Sequence, residues 1–200
     1  MTDRRFTPLD AATAAVTVAI AALALWIWLR LPDVPYRMHF SARGEVDRWG
    51  GKGELVLLFG VMALMTAITA GMMGWYAEAS DEPARRRGLR VGQAVSLLAI
   101  GGTSAFMAWA ILGKAWGVAP PAIGWIMALT GLILVVIGAG LGRVAPNPLI
   151  GVRTPWSFKS RLAWDRSNRL AGRLFFWIGL GLILSAAIAP QPAGTIAMVV

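Results

Sequence analysis

The strongest constraint on this chain is a series of uncharged, apolar blocks that recurs along almost its whole length. Each block is about long enough to cross the roughly 30 Å hydrocarbon core of a bilayer as an α-helix. The blocks cover residues 11–29, 55–77, 91–112, 122–141 and 174–189. They predict an all-α fold, a polytopic transmembrane bundle of five spans. The last block is short for a span unless its helix begins upstream, and the apolar C-terminal stub is too short to cross again.

The composition excludes an ordinary soluble domain. Of 200 residues, 57% are hydrophobic and only 14% are charged, a balance that a soluble fold of this size cannot bury. The chain has no cysteine, so disulfides and thiol chemistry are excluded. The net charge of +9 is distributed in short clusters between the apolar blocks. This pattern indicates membrane topology and gives no indication of a nucleic-acid partner.

The basic clusters also predict an orientation. With the N-terminus in the cytoplasm, thirteen of the nineteen Lys and Arg residues lie on the cytoplasmic side, as the positive-inside rule requires. The first block is too long for a signal-peptide core and is expected to remain as a helix. The expected regions are a tail and first span (1–29), an extracellular loop (30–54), spans two to four (55–141), a cytoplasmic basic loop (142–173), and a fifth span with its tail (174–200).

The longest polar interruption, residues 142–173, predicts a folded loop followed by a helix. Prolines stop a helix in its first half, because each lacks an N–H and disfavours helical geometry in the residue before it. These prolines are Pro146, Pro148 and Pro155. From Ser160 nothing breaks a helix until Gly172. We therefore expect a proline-rich loop and then a basic helix at the membrane surface. The alternative is a solvated, positively charged loop that only fixes topology.

The charged and aromatic side chains of this helix predict particular contacts. Asp165 lies four residues from both Arg161 and Arg169, so it is expected to pair with one of them on a shared helix face. The rings of Trp156 and Trp164 are amphipathic, and we expect both at the membrane–water boundary.

Arg153 is the predicted lock of the loop. It lies between prolines and close to a tryptophan, and its planar guanidinium can bind two carbonyl oxygens at once, which a lysine cannot do. We expect Arg153 to hold the proline-rich loop against the helix that begins near Ser160, through backbone carbonyl groups.

The first loop, residues 30–54, predicts a compact external cap. Pro32 and Pro35 force an extended start, and the glycines supply turns. Asp47 and Lys52 offer a local charge pair worth about 0–1 kcal/mol. One histidine with two carboxylates at uneven spacing is weak as a metal site, and no metal is expected. The three side chains are His39, Glu45 and Asp47.

No catalytic pattern stands out, and neither a catalytic residue nor a cofactor is predicted. The chain has one histidine and no cysteine, and it lacks both GxSxG and HExxH arrangements. The apolar blocks contain no Asp, Glu, Lys, Arg or His, which argues against an ion-coupled transporter or a proton pump. Small residues such as Gly138, Gly142, Gly179 and Gly181 let helices approach closely, either inside the bundle or across a homodimer interface.

Both polar loops resemble motifs of one protein family. The large loop resembles the signature of the SdpI family, bacterial membrane proteins of toxin immunity. The resembling residues are Pro146, Asn147, Gly151, Val152, Arg153, Thr154, Pro155, Trp156, Ser160, Trp164, Arg169 and Gly172. The first loop resembles an extracellular motif often found in the same proteins. Its residues are Leu31, Pro32, Val34, Pro35, His39, Phe40, Gly44, Asp47, Gly50, Gly51 and Lys52.

Some positions depart from the family pattern. Ser41 replaces the usual asparagine after the His-Phe pair, and Asn168 stands where the family tends to have a histidine. Three residues, 36–38, separate Pro35 from His39, where fewer are expected. The family usually has six spans, whereas this sequence predicts five.

The resemblance implies a non-enzymatic immunity or signal-receptor protein, multi-pass in the bacterial cytoplasmic membrane. Such a protein protects the cell from a secreted, membrane-active peptide toxin and, in the family's founding role, holds a repressor-like protein at the membrane. The implied partners are the lipid bilayer, a toxin outside and a regulator inside, and the motif residues form a binding or structural site. The alternatives are a small transporter or channel-like protein and, third, a membrane-embedded enzyme. The identity of the toxin and the oligomeric state stay open.

Overall fold

Five long helices make up most of the chain. The computed structural model describes residues 6–41, 45–118, 121, 124–147 and 149–188. Within that part the helices are α1 (Pro8–Arg30), α2 (Lys52–Glu78), α3 (Pro83–Leu112), α4 (Gly124–Leu141) and α5 (Arg161–Ile188). Each is long and apolar enough to cross a membrane, so the predicted all-α bundle of five spans is confirmed. Arg4, Arg5, Gly44, Pro148 and the C-terminal stub, on which some predictions rest, lie outside the described residues.

The connections contain short elements that the apolar blocks did not reveal. Two strands, β1 (Tyr36–Phe40) and β2 (Val46–Gly50), pair antiparallel between α1 and α2. A 3₁₀ turn at Gly113–Trp116 follows α3, and another at Ser157–Lys159 precedes α5.

Polar residues extend α1 beyond its apolar block. The Thr7 hydroxyl accepts a hydrogen bond from the backbone N–H of Asp10 at 3.4 Å, and the Asp10 carboxylate accepts one from the backbone N–H of Thr7 at 2.9 Å. This reciprocal arrangement satisfies two backbone donors at the helix start. Pro8 occupies the first turn, where a missing N–H has no cost. Pro83 begins α3 in the same way.

The predicted basic helix and the predicted fifth span are one continuous helix, α5. The Ser160 hydroxyl accepts the backbone N–H of Ala163 at 3.1 Å and caps its start. The basic helix is therefore the first part of the last span, as the shortness of the last apolar block allowed, and its place at the membrane surface stays a prediction. The basic residues belong to the first turns of the last span, which also explains why its apolar block is short. Helical geometry from the Ser160 position onward is confirmed.

Consecutive helices run in opposite directions, so the bundle has two ends. We call one the basic end: it holds the starts of α1, α3 and α5, the ends of α2 and α4, and residues 143–160. We call the other the hairpin end, after β1 and β2. At the hairpin end the Lys52 ammonium donates to the Leu31 carbonyl at 3.2 Å, joining the start of α2 to the end of α1.

Two kinds of packing hold the helices. α1, α2 and α3 share an apolar core that includes the fully buried Ile27, Phe59 and Leu112. α4 and α5 instead approach through glycines. A Cβ added at Gly131 would lie 2.5 Å from the Gly179 carbonyl oxygen, a separation that side chains cannot occupy. Close helix approach at Gly138 and Gly179 is confirmed. Gly181 takes no part in it, because a Cβ there would meet nothing within 4 Å.

Candidate functional site

The described part of the loop between α4 and α5, residues 143–147 and 149–160, is folded around the side chain of Asn147. Its Oδ1 accepts the backbone N–H groups of Leu149 and Ile150, each at 2.8 Å. Its Nδ2 donates to the carbonyls of Ala145 at 2.9 Å and Ile150 at 3.1 Å. Asn147 is only 4% exposed. An asparagine fits because its amide offers both acceptor and donors to a turn.

Gly151 allows this turn to pack against α5. Its φ of +122° is a backbone conformation that side-chain-bearing residues rarely adopt. A Cβ there would also lie 2.7 Å from the Trp164 ring and 2.8 Å from the Asn168 side-chain oxygen. Both the conformation and the close approach require glycine.

Trp164 anchors the loop from the α5 side. Its ring is fully buried, and its indole N–H donates to the Val144 carbonyl at 2.7 Å. The prediction that Trp164 lies at the membrane–water boundary is wrong, because the loop folds over it. Trp156, in contrast, is 67% exposed, and the Lys159 ammonium lies 4.2 Å from the centre of its ring.

Asn168 is the residue of this site whose role the sequence did not reveal. Its Oδ1 accepts the Val152 backbone N–H at 2.8 Å, and its Nδ2 donates to the Trp164 carbonyl at 2.9 Å. Asn168 is almost fully buried. The available signal was a neutral amide one helical turn after Trp164, in a stretch otherwise rich in arginine.

A second small network closes the loop before α5. The Thr154 N–H donates to the Ser157 hydroxyl at 3.0 Å, and the Ser157 N–H donates to the Thr154 hydroxyl at 3.1 Å. Ser157 Oγ also donates to the Thr154 carbonyl at 2.9 Å. Pro155 lies inside this turn and is exposed. Ser157 is fully buried, so it is a structural residue of the loop.

An apolar cavity lies under the folded loop. Its volume is about 370 Å³, and its walls come from α2, α3, α4, α5 and the loop segment 149–152. Ile150 closes one side by packing directly over Gly92 of α3, where any Cβ would overlap it. The loop therefore rests on the helices at the basic end.

The first loop contains a β-hairpin and is more ordered than a set of turns. β1 and β2 pair with Tyr36 opposite Gly50 and Phe40 opposite Val46, and the register shifts on either side of His39. The Tyr36 hydroxyl donates to the Pro32 carbonyl at 2.8 Å, which ties the hairpin to the end of α1. Burial raises the pKa of the Tyr36 phenol, and the nearby negative charge of Asp33 raises it further.

The predicted charge pair in this loop is wrong. Asp47 bonds to His39, with Oδ1 and Nδ1 2.6 Å apart. Lys52 donates to a backbone carbonyl instead, and its ammonium lies 5.4 Å from the centre of the Trp28 ring. Among the residues described, no group of three or more His, Cys, Asp or Glu side chains is arranged to hold a metal ion.

Comparison with known proteins connects both loops to families. The model of the SdpI/YfhL protein family matches residues 143–200. Residues 143–200 are thus similar to that family, and we call them the SdpI segment. The predicted resemblance is thereby confirmed for the C-terminal part of the chain. A second family model, a domain of unknown function (DUF1648), matches residues 15–64 and covers the hairpin. No curated protein and no solved structure matches the chain.

Within the SdpI segment, Arg153 does not act as the predicted lock. It is exposed, and its guanidinium makes no hydrogen bond or ion pair with any residue that the structure describes. The loop is held instead by the buried amides and hydroxyls. The arginine that does bind a loop carbonyl is Arg85 of α3, whose Nε donates to Pro146 at 3.2 Å.

The remaining predicted contacts of the SdpI segment lie along α5. Arg161 and Asp165 approach within 3.9 Å, which confirms the expected pairing on one helix face. Arg169 bonds to the backbone of Asp165, because its Nε donates to the Asp165 carbonyl at 3.2 Å. Ser160 caps the helix.

A polar cluster at the basic end joins the first three helices, and no sequence pattern predicted it. Arg90 bonds to Asp10 at 2.6 Å and to Glu78 at 3.2 Å. The fully buried Gln93 donates to Asp10 at 3.1 Å and to Thr13 at 3.0 Å. The apolar blocks exclude all three charged residues, but the helices include them. Alternating span direction places the three at one end, and this was the signal available in the sequence.

Proposed function

We propose that this protein is a non-enzymatic immunity or signal-receptor protein of the bacterial cytoplasmic membrane. The SdpI family indicates a membrane immunity-type protein, and the five long apolar helices indicate a multi-pass one. In our proposal it protects against a secreted, membrane-active peptide toxin. The basic end faces the cytoplasm, where it binds a repressor-like regulator, and the hairpin end faces the toxin.

The observation that carries this proposal is that the folded SdpI loop (residues 143–147 and 149–160) leaves two of its motif side chains, Arg153 and Trp156, on the surface. Buried neutral groups hold the loop, and Arg153 and Trp156 are both exposed. Arg153 has no partner among the described residues, and the one contact described for the Trp156 ring is with the exposed Lys159. An exposed arginine beside an exposed tryptophan is typical of a protein interface, where both residue types are enriched. We therefore assign partner binding to these two side chains and loop architecture to Asn147, Trp164 and Asn168.

The first experiment asks whether the chain protects at all. It would be expressed in a sensitive bacterium without a related immunity protein, and the cells exposed to secreted membrane-active peptides, including any that is encoded beside its gene. We expect the inhibitory concentration of one peptide to rise at least tenfold. An unchanged inhibitory concentration for the peptide encoded beside the gene would contradict the proposal.

The second experiment separates binding from architecture with a matched pair of variants. Arg153 and Arg166 are both exposed arginines at the basic end, and neither has a partner among the described residues. Only Arg153 belongs to the SdpI motif. We expect Arg153→Ala to lose protection at least tenfold with normal membrane insertion and thermal stability, and Arg166→Ala to protect like the wild type. Equal behaviour of the two variants would contradict a specific role for Arg153.

The alternative function, a small transporter or channel-like protein, gains one supporting observation. The cluster of Asp10, Glu78 and Arg90 places ionisable groups within the helices, and such groups are common in ion-coupled transport. Here each charge has an opposite partner at the end of the bundle, which favours a structural role. Solute or proton flux in proteoliposomes, abolished by Arg90→Gln, would establish the alternative.

A further inference from the structure

Three arginines line one crevice between α4 and α5 at the basic end. Arg143 follows the end of α4, and Arg169 and Arg173 lie one turn apart on α5. The crevice has a volume of about 520 Å³. Small residues and the rings of Phe176 and Trp177 form the rest of its wall. The crevice is therefore cationic towards the basic end and apolar towards the middle of the bundle.

Glycines give this crevice its shape. A Cβ at Gly138 would lie 2.6 Å from the Gly172 carbonyl oxygen, so the two helices touch along its floor. A Cβ at Gly142 would lie 3.1 Å from Arg169 Cγ, which shows that the aliphatic stem of Arg169 crosses the end of α4. The three arginines therefore line one groove whose remaining wall is largely apolar.

No carboxylate of the described chain forms an ion pair with these three arginines. Asp165, the acid nearest to them in sequence, approaches Arg161 and offers Arg169 only its backbone carbonyl. Other arginines at this end do have acidic partners: Arg90 bonds to Asp10 and Glu78, and Arg85 approaches Glu82 at 3.4 Å. Three uncompensated guanidinium groups in one crevice repel one another and favour a bound anion.

The apolar groove decides which anion fits. A soluble phosphate would use the arginines and leave the groove and its aromatic rings without a role. A phospholipid uses both, because its phosphate lies at headgroup depth, where clustered arginines attract anionic lipids, and its acyl chain lies below. Trp177, which is 67% exposed, suits the same membrane interface.

We propose that one anionic phospholipid occupies the crevice between α4 and α5. Its phosphate accepts hydrogen bonds from Arg143, Arg169 and Arg173, and one acyl chain follows the glycine-lined groove beside Phe176 and Trp177. A planar guanidinium can donate two hydrogen bonds to two oxygens of one phosphate, which the ammonium of a lysine does less well. This site is separate from the partner-binding surface at Arg153 and stands whether or not the chain protects against a toxin.

Native mass spectrometry of the full chain in detergent tests the proposal, with phosphatidylglycerol and phosphatidylcholine added in turn. We expect one tightly retained phosphatidylglycerol and weaker binding of phosphatidylcholine. The test variant is Arg143→Gln with Arg173→Gln. The matched control, Arg87→Gln with Arg166→Gln, removes the same charge from exposed positions at the same end.

The test variant should lose roughly thirtyfold in phosphatidylglycerol affinity, since each arginine contributes about fivefold, and the control should lose less than about twofold. Equal losses of affinity in the test and control variants would mean that the arginines attract lipid only as a diffuse charged surface, and would overturn the proposal. Three further results would each overturn the proposal. They are an unchanged phosphatidylglycerol affinity in both variants, equal binding of phosphatidylcholine by the wild type, and displacement of the bound lipid by equimolar glycerol phosphate.

A second variant keeps all charges and blocks the groove. Ala139 is an exposed residue of the crevice wall, and Ala139→Trp would fill the space assigned to the acyl chain. We expect at least tenfold weaker phosphatidylglycerol binding with unchanged thermal stability. Wild-type affinity in this variant would overturn the placement of the lipid, even if the arginine pair failed to fold.

Discussion

The SdpI loop at the basic end and the hairpin at the opposite end are held by different kinds of contact. Buried, uncharged groups hold the loop, chiefly Asn147, Trp164 and Asn168. Exposed polar pairs lie on the hairpin and at its junction with α2: His39 with Asp47, and Arg48 with Glu54. A buried polar group that loses its partner costs about 1–3 kcal/mol, whereas an exposed ion pair contributes about 0–1 kcal/mol. The loop should therefore tolerate substitution much less than the hairpin.

The largest expected contrast between the two regions is their exposure to opposite sides of the membrane. The chain contains no cysteine, so single cysteines at Ser41 and Lys159 can be labelled without background. Lys159 is chosen because it is exposed, whereas Ser157 beside it is buried. We expect an impermeant thiol reagent to label only Ser41→Cys in intact cells, and both variants after permeabilisation. Labelling of only Lys159→Cys in intact cells would reverse the orientation.

The next contrast uses one substitution at two glycines. Gly151→Ala meets both a φ of +122° and the Trp164 ring at 2.7 Å, and we expect it to cost about 3 kcal/mol. Gly51, which precedes α2 at the hairpin end, has a φ of −81° and nothing within 4 Å of an added Cβ. Because Gly51 is the N-cap of α2, where alanine is less favourable than glycine, Gly51→Ala should cost up to about 1 kcal/mol. Thermal unfolding of the purified proteins measures both, and similar costs would mean that the loop is not tightly packed.

The sequence predicted the helices well because a span must be long, apolar and free of charge, and these properties are local. It failed where the deciding contact joins distant segments. Asn168 and Trp164 share their helix with arginines, and only the fold over them shows which face is buried. Arg90, Asp10 and Glu78 lie on three different helices, so no spacing in the sequence relates them.

The error at Arg153 has a more general cause. A permanent charge between prolines suggested a structural lock, because an arginine can bind two carbonyls. The folded loop satisfies its backbone with short neutral side chains of its own, above all Asn147 and Ser157. These groups lose less solvation than a guanidinium when they are buried. The hairpin, in contrast, did leave a local signal, because the apolar Tyr36, Met38 and Phe40 alternate with Arg37 and His39 along β1, a pattern typical of a strand.

The smallest expected contrast compares Asn147→Ala with Asp47→Ala. Removing the Asn147 amide leaves two backbone N–H groups and two carbonyls of the loop without that partner, so we expect a loss of about 2 kcal/mol. Removing the Asp47 carboxylate breaks one exposed pair, and we expect less than about 1 kcal/mol.

Thermal unfolding at low and high salt distinguishes the two mechanisms. Screening weakens an exposed ion pair but hardly affects a buried neutral hydrogen bond. The cost of Asp47→Ala should therefore shrink at high salt, provided that His39 is protonated in the assay, and the cost of Asn147→Ala should stay constant. If instead Asp47→Ala were the more destabilising variant, the hairpin would depend on its charges and the contrast between the two ends would fail. A salt-sensitive cost at Asn147 would likewise mean that water reaches the loop's hydrogen bonds.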